Sequence, residues 1–181
     1  MGRVEKLFSL FLATLMFSFI GWVFETLLFL IAYGSWYDRG FLTLPFCPIY
    51  GFTLLIIYLL FGTTKSGGVL LNRIKNGSLR VVIYYILCCV TASLSEYFVG
   101  TLTEKFTGRV LWDYSMYPLA LGRYVCIEVA IVWGFLICFA TYLFDYLVKR
   151  FQKLRIGLLI GINITSWSFL LIDFIANLLV E

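Results

Sequence analysis

Five apolar runs separated by charged connections constrain the fold of this chain more than any other feature. They cover residues 7–33, 46–61, 81–103, 119–148 and 156–180. A helix needs about 20 apolar residues to cross about 30 Å of hydrocarbon, and four of the runs are that long. The run 46–61 is shorter and carries Pro45 and Pro48 at its entrance, so it is either a complete span or a partly re-entrant segment.

The low content of charge agrees with this pattern. Only 13% of the 181 residues are charged, whereas a water-soluble domain of this length carries about a quarter. The apolar runs leave no room for a second, soluble domain. The sequence therefore predicts an all-α integral membrane protein, with one transmembrane domain over residues 1–181 that forms a bundle of five helices.

The basic residues predict the orientation of these spans. Ten of the 14 Lys and Arg residues lie at the N-terminus and in the second and fourth connections. They are Arg3, Lys6, Lys65, Arg73, Lys75, Arg80, Lys149, Arg150, Lys153 and Arg155. Because cytoplasmic connections carry an excess of Lys and Arg, the N-terminus is predicted in the cytoplasm and the C-terminus outside.

Four acidic residues lie within predicted spans. Helix rise places Glu25, Glu96, Asp173 and Glu128 roughly 27, 22, 26 and 30 Å from the cytoplasmic boundary, so they share one level in the outer part of the bilayer. A charged side chain that faces lipid at mid-membrane costs about 2.5–3.5 kcal/mol. These acids are therefore predicted to face inward, toward one another and toward water.

Two arginines are candidate partners for these acids. Arg39 follows the first outer connection, and Arg123 stands five residues before Glu128. Guanidinium groups bind carboxylates in two-pronged pairs. Two interpretations stay open: a polar pocket open to the outside that binds a small polar or cationic solute, or a structural or regulatory protein whose ion pairs only hold the helices together.

Glycines and acids recur at every fourth residue of the third span. The series consists of Glu96, Gly100, Glu104 and Gly108, and it is followed by Trp112, Asp113 and Tyr114. Residues spaced by four share one helix face, and glycines on that face allow another backbone to approach. Gly21 precedes Glu25 by the same spacing. The series indicates a packing face with polar candidates for the site, although a purely structural seam explains it as well.

A weak internal repeat is also visible. One unit runs from Glu25 through Trp36 and Cys47 to Phe52, and the other from Glu96 through Trp112 and Cys126 to Phe135. Both units leave and return in the same orientation, which is typical of parallel repeats about an axis along the membrane normal. The spacings differ between the units, so chance similarity explains the pattern as well as descent does.

Several classes of function find little support. The chain has no histidine, and its five cysteines lie in or beside apolar runs without metal-ligand spacing, so no metal and no cofactor are predicted. Nothing points to nucleic acid. An intramembrane enzyme acting on a lipid-linked substrate would need Glu25, Glu96 or Glu104 as its acid or base. No nucleophile–base pair accompanies them, so a protein that is not an enzyme is the favoured prediction.

A set of short motifs resembles the putative ABC-transporter type IV (CmpB-like) permease family of bacterial membrane proteins. The motifs are Gly21-Trp22 with Glu25, Arg39-Gly40-Phe41-Leu42, Cys47-Pro48-Ile49-Tyr50-Gly51, the series from Glu96 to Glu104, Trp112-Asp113-Tyr114-Ser115, Gly122-Arg123 and Trp133-Gly134. The resemblance covers roughly residues 22–135. It implies a permease-like transport component in the bacterial cytoplasmic membrane.

The resemblance also implies partners. The chain has no nucleotide-binding motif, so ATP would act through a separate ATPase subunit that contacts the cytoplasmic segment 63–80. Apolar and basic residues alternate within 68–76, which predicts a short amphipathic helix there or a segment that lies on lipid headgroups. Five helices can hardly enclose a large translocation path, so a homo-oligomer is a further expectation.

Overall fold

A computed structural model describes residues 2–36, 40–66 and 68–179. The described residues form helices and loops, with one isolated bridge between Ala120 and Cys126. In chain order the helices are α1 (Arg3–Tyr33), α2 (Pro48–Phe61), α3 (Gly68–Leu71), α4 (Gly77–Thr107), α5 (Ile127–Phe151) and α6 (Ile156–Leu179).

Four of these helices are long and apolar enough to cross a membrane. They are α1 and α4 with 31 residues each, α5 with 25 and α6 with 24. Large apolar side chains such as Ile31, Phe139 and Ile172 are exposed on them, which suits a surface that faces lipid. The prediction of an all-helical integral membrane protein is confirmed at this level. Helix α2 has only 14 residues, about 21 Å of helix.

The helix bounds differ from the predicted spans at the start of α5. The apolar run begins at Leu119, but the helix begins only at Ile127. Pro118 lies just before the run, and Gly122 adopts φ 82°, a left-handed conformation that does not continue a helix. Residues 108–126 are therefore a long loop, and we call them the α4–α5 loop.

Glycine caps fix the ends of the two longest helices. Gly34 ends α1 at φ 67°, and Gly108 ends α4 at φ 70°. The backbone N–H of each glycine donates to the carbonyl oxygen four residues earlier, at Leu30 and Glu104. At Gly108 a Cβ atom would meet none of the described residues within 4 Å, and the residue ends the helix. Its role as a packing glycine stays a prediction.

The described chain divides into two compact units, residues 1–52 with 146–181 and residues 53–145. In the first unit, a cluster of buried leucines lies between α1, α6 and the loop before α2. Its members are Leu12, Leu15, Leu42, Leu159 and Leu170. Gly21 of α1 lies against the ring of Tyr50, and Gly51 of α2 lies against the backbone carbonyl of Thr14.

The second unit has its own buried contacts. The fully buried Tyr84 of α4 donates its hydroxyl to the Gly62 carbonyl oxygen at 2.9 Å. Tyr58 of α2 donates to Asp145 of α5 at 2.8 Å. Gly134 of α5 leaves space for the Cys89 thiol of α4. The first part of the suggested repeat belongs to the first unit and the second part to the second unit, while the single domain over 1–181 stays a prediction.

The predicted amphipathic helix over 68–76 is shorter in the structure. Helix α3 ends at Leu71, and the chain is not helical again until Gly77. A four-residue helix makes only one turn, so it gains little cooperative stability of its own. Asn76 then caps α4, since its side chain accepts from the Leu79 backbone N–H.

Candidate functional site

The α4–α5 loop folds back onto the face of α4 that carries the glycine–acid series. Tyr114 donates its hydroxyl to Glu96 at 3.1 Å, and Tyr124 donates its hydroxyl to Glu104 at 2.6 Å. Between these two acids, Gly100 lies directly under the Tyr124 ring. Because residues spaced by four share one helix face, the carboxylates of Glu96 and Glu104 lie on the same face of α4, with the space above Gly100 between them. The two tyrosine side chains of the α4–α5 loop contact this face.

Arg123 joins three charges at the surface of this loop. Its guanidinium group forms an ion pair with Glu104 and a second one with Asp113, at 3.2 Å from Nε to Oδ2. The side chains of Arg123, Glu104 and Asp113 are 44%, 38% and 45% exposed. We call these three residues the charged trio. The trio therefore lies partly exposed at the surface of the described chain.

The electrostatics of the trio favour an ionised Asp113. The Ser115 side chain and backbone N–H, which donates to Asp113 at 2.8 Å, hold the pKa of Asp113 below its usual range, and Arg123 adds to the effect. The unfolded value is the higher one, so ionised Asp113 stabilises the loop above that value. This contribution is lost as the pH falls through the lowered folded pKa.

Trp112 connects the two arms of the α4–α5 loop. Its indole N–H donates to the Tyr124 carbonyl oxygen at 3.3 Å, and the two rings meet edge to face at 6.0 Å. The Tyr114 backbone N–H donates to the Arg123 carbonyl oxygen at 2.7 Å. These bonds close the loop across ten residues and hold Asp113 beside Arg123.

Glu128 has other partners than the sequence suggests. It lies in the first turn of α5, where a negative charge suits the helix dipole. Its carboxylate accepts from the Leu119 backbone N–H at 3.2 Å and from the Cys126 thiol at 2.7 Å. Arg123, five residues earlier, pairs with Glu104 and Asp113 instead.

Both predicted acids of the first unit bind the loop that precedes α2. Glu25 accepts from the Cys47 thiol at 3.8 Å. Asp173 accepts from the Leu44 backbone N–H at 3.0 Å and from Asn177 at 3.2 Å. The acids in both units therefore share one role: each accepts a hydrogen bond from a loop that joins two consecutive helices.

Within each unit, the acids of the predicted common level contact one loop. In the second unit, Glu96 and Glu104 contact the same loop as Glu128. In the first unit, Glu25 and Asp173 contact another loop. Arg39 lies outside the described residues. The single recess lined by all of these groups stays a prediction.

Three partners in these networks carry no strong sequence signal. Tyr124 lies one residue after the predicted Arg123, and its contact with Gly100 is visible only in three dimensions. Thr43 and Asn177 exchange hydrogen bonds at 3.4 and 3.1 Å beside Asp173, although 134 residues separate them. The spacing of Asn177, four residues after Asp173, is the one local hint, because such pairs share a helix face.

The described side chains around the charged trio are donors and acceptors of hydrogen bonds. In the described ranges, no three His, Cys, Asp or Glu side chains are grouped as metal ligands. All five cysteines are free thiols. Carboxylate oxygens, tyrosine hydroxyls and one guanidinium group remain, and these bind polar or charged organic groups by hydrogen bonds and ion pairs.

Comparison with known proteins gives one match. No curated protein and no solved structure matches the chain. A family model described as putative ABC-transporter type IV matches residues 12–178, which extends the resemblance seen in the sequence motifs to both ends of the chain. Since the match includes all four long apolar helices almost completely, the chain belongs to the putative ABC-transporter type IV family.

Proposed function

We propose that this chain is the membrane subunit of an ABC-type transport system and that its α4–α5 loop binds a small polar or cationic solute. Membership of a transporter family supports the general role. The charged trio supports the site, because it combines ionised groups, partial exposure and a fixed geometry. Together these features favour transport over catalysis.

The balance of charge in the trio carries the proposal of a cationic solute. Two carboxylates, Glu104 and Asp113, share a single guanidinium group, so the trio has a net charge of minus one. Glu96 lies below it and adds a third carboxylate. Each carboxylate oxygen has two acceptor sites, so the bonds to Arg123, Tyr124 and Ser115 leave capacity for a further donor.

The topology of the proposal follows from the basic residues. Five spans with the N-terminus in the cytoplasm place the α4–α5 loop and its charged trio outside, in the bacterial cytoplasmic membrane. This arrangement requires α2 to cross as the second span. Helix α2 has only 14 residues, and the loop from Gly40 to Cys47 continues its path toward the outer side. Backbone N–H groups of this loop donate to the Asp173 carboxylate and to the Ser18 carbonyl oxygen.

Removing one carboxylate charge of the trio tests the site. In Asp113→Asn, binding of tetramethylammonium or guanidinium to protein in nanodiscs is expected to weaken about tenfold, because one carboxylate charge that attracts the cation is lost. Glu96→Gln is expected to weaken binding while membrane insertion stays intact. The measurement is isothermal titration calorimetry or the ligand-induced shift in Tm.

Lys105→Ala is the matched control for this experiment. Lys105 is exposed on α4, next to Glu104 in sequence, and its loss changes charge at the same end of the helix without removing a carboxylate. It is expected to leave the affinity unchanged or raise it slightly. Equal affinity in wild type, Asp113→Asn and Glu96→Gln would contradict a cation site at this loop.

A structural role is the second candidate, and a specific observation favours it. Glu25, Glu96, Glu104, Glu128 and Asp173 all accept hydrogen bonds from loops, so each of them already stabilises the fold. In this interpretation Arg123→Glu lowers the yield of folded protein, and adding Glu104→Arg restores it. If the restored double variant also binds cations as wild type does, the trio is structural and the solute site lies elsewhere.

The cytoplasmic segment 63–80 is the proposed contact for the ATPase subunit. Thr63 and Ser66 form a hydrogen-bonded turn, with the Thr63 backbone N–H at 2.9 Å from the Ser66 hydroxyl. After α3, Arg73 and Lys75 are exposed on a stretch without helical structure. A rigid turn followed by exposed charges suits electrostatic docking of a soluble partner.

Charge reversal tests this contact. Arg73→Glu with Lys75→Glu is expected to reduce co-purification of an ATPase subunit expressed together with this chain at least about tenfold, because like charges replace complementary ones at the interface. Lys153→Glu with Arg155→Glu is the control in the other cytoplasmic connection. Equal loss in both pairs would indicate a general loss of charge at the membrane surface rather than a specific docking site.

A further inference from the structure

Two of the five cysteine thiols form a pair within the second unit. The Cys88 thiol of α4 and the Cys138 thiol of α5 interact with each other through a hydrogen bond. Cys88 is completely buried, and Cys138 is half-buried. Cys47 and Cys126 differ from this pair, because the thiol of each donates to a glutamate carboxylate. Two thiols that interact across two helices have a chemistry that a single cysteine lacks.

A glycine explains why α4 and α5 bring these thiols together. A Cβ atom at Gly134 of α5 would overlap the Cys89 sulfur and would lie 3.4 Å from the Cys89 backbone nitrogen. The two helix backbones therefore approach closely at this level, as a glycine in a membrane helix permits. Cys138 follows Gly134 by four residues and shares its helix face, so it also faces α4. Cys88 is next to Cys89 on the facing helix and meets Cys138 there.

The pair lies deep in the predicted hydrocarbon layer. Cys88 is roughly 16 Å along α4 from its start at Gly77, and Cys138 is roughly 16 Å along α5 from its start at Ile127. Water-soluble oxidants of thiols do not enter this layer, whereas a compound dissolved in lipid does. The neighbouring Phe139 is exposed on the apolar surface of α5, so lipid contacts this side of the helix. The half-buried Cys138 is therefore accessible from the lipid.

We propose that Cys88 and Cys138 form a redox modification site, at which a lipid-soluble hydrogen acceptor closes a disulfide bond between α4 and α5. Both S–H bonds break and one S–S bond forms. The two protons and two electrons pass to the acceptor; the N=N double bond of an azodicarboxamide, for example, becomes a hydrazine. Reactants and products are all neutral, so the completed reaction leaves no charge in the apolar layer, where a charge is costly.

Closure of this bond ties together the two helices that carry the α4–α5 loop. A disulfide bond requires Cα atoms about 4.4–6.8 Å apart, a separation that helices reach only where their backbones approach closely. Gly134 provides this approach one turn from Cys138. Because the bond also constrains the unfolded chain between Cys88 and Cys138, the oxidised protein is expected to resist unfolding more strongly than the reduced protein.

The experiment counts free thiols in protein reconstituted into phosphatidylglycerol–phosphatidylethanolamine liposomes. One sample receives azodicarbonyl-dipiperidine, which dissolves in lipid, and the other receives oxidised glutathione, which stays in water. Both are then denatured in sodium dodecyl sulfate and labelled with a polyethylene glycol maleimide. With the azo compound, wild type is expected to fall from five labelled thiols to three and to return to five after dithiothreitol. Mass spectrometry of the peptides is expected to show Cys88 linked to Cys138.

Substitution of single cysteines provides the controls. Cys138→Ser removes one member of the pair, and its four remaining thiols are expected to stay labelled. Cys126→Ser also removes one thiol but leaves the pair, so its count is expected to fall from four to two. In a sodium dodecyl sulfate titration, the azo compound is expected to raise the unfolding midpoint of wild type and of Cys126→Ser but not that of Cys138→Ser.

Three results would contradict the proposal. Five labelled thiols in wild type after the azo compound would show that the pair does not close. A loss of two thiols in Cys138→Ser would assign the reaction to other cysteines. Equally fast closure of the Cys88–Cys138 bond by oxidised glutathione would show that the pair is reached from water. No solute is used in these measurements, so their outcome is independent of the proposed transport site.

Discussion

Gly51→Val is expected to lower the free energy of unfolding by about 3 kcal/mol or more and to abolish most of the folded yield. A Cβ atom at Gly51 would overlap the Thr14 backbone carbonyl oxygen and the Ser18 hydroxyl of α1. Ser18 itself donates to the Thr14 carbonyl oxygen at 2.9 Å, so its hydroxyl is held in place. A helix backbone cannot turn aside as a flexible side chain can, and α1 and α2 must separate.

The measurement is the unfolding curve of purified protein in detergent micelles titrated with sodium dodecyl sulfate. Gly77→Val is the control, because a Cβ atom at Gly77 would meet nothing within 4 Å. A valine at this position changes the free energy of unfolding only through its helix propensity. Equal stability of Gly51→Val and Gly77→Val would show that α1 and α2 do not approach as closely as the structure has them.

Glu104→Leu is expected to lower the free energy of unfolding by about 2 kcal/mol and to release the α4–α5 loop. The main loss is at Tyr124, which is 6% exposed and whose hydroxyl would have no acceptor, at a cost of about 1–3 kcal/mol. The exposed ion pair to Arg123 adds little, because solvent screens it. Hydrogen exchange of the loop amides is expected to become faster in the variant.

Glu104→Gln separates charge from hydrogen bonding. Its amide oxygen still accepts from Tyr124, so most of the stability and the slow loop exchange are expected to return, while the charge of the trio changes. If Glu104→Gln is as unstable as Glu104→Leu, the carboxylate charge rather than the Tyr124 bond stabilises the loop. If both variants exchange as slowly as wild type, Trp112 and the loop backbone bonds alone are sufficient to hold the fold.

The sequence predicted the helices well where hydropathy alone decides. The runs 7–33 and 156–180 agree closely with α1 and α6, since uninterrupted apolar residues must satisfy their backbone inside the helix. The run 119–148 was predicted too long, because Leu119 and Leu121 are as apolar as helix residues although Gly122 turns the chain at φ 82°. Hydropathy reports burial from water, and an apolar loop at the membrane surface has the same composition as a span.

Helix periodicity predicts which residues share one face of a helix, and the candidate site was predictable from the sequence to that extent. The spacing of Glu96, Gly100 and Glu104 predicts one helix face, and in the structure tyrosines of the α4–α5 loop contact these three residues. The helix periodicity did not identify Tyr124 as the residue that contacts this face. Tyr124 belongs to a loop, and the path of a loop has no helical period. Arg123 pairs with Asp113 and Glu104 rather than with Glu128 for the same reason. Glu128 is nearer in sequence, but the loop turns the guanidinium group toward α4.

The glycine stops of α1 and α4 have a consequence for the membranes this protein tolerates. Each helix has 31 residues, a length of about 46 Å, while the hydrocarbon layer is about 30 Å thick. Roughly 16 Å of rigid helix thus extends among headgroups and water. A bilayer that is several ångströms thicker covers more of these protruding helix ends and requires no change in the length of any span. The loops at the ends of the two helices therefore keep their internal geometry as lipid composition changes.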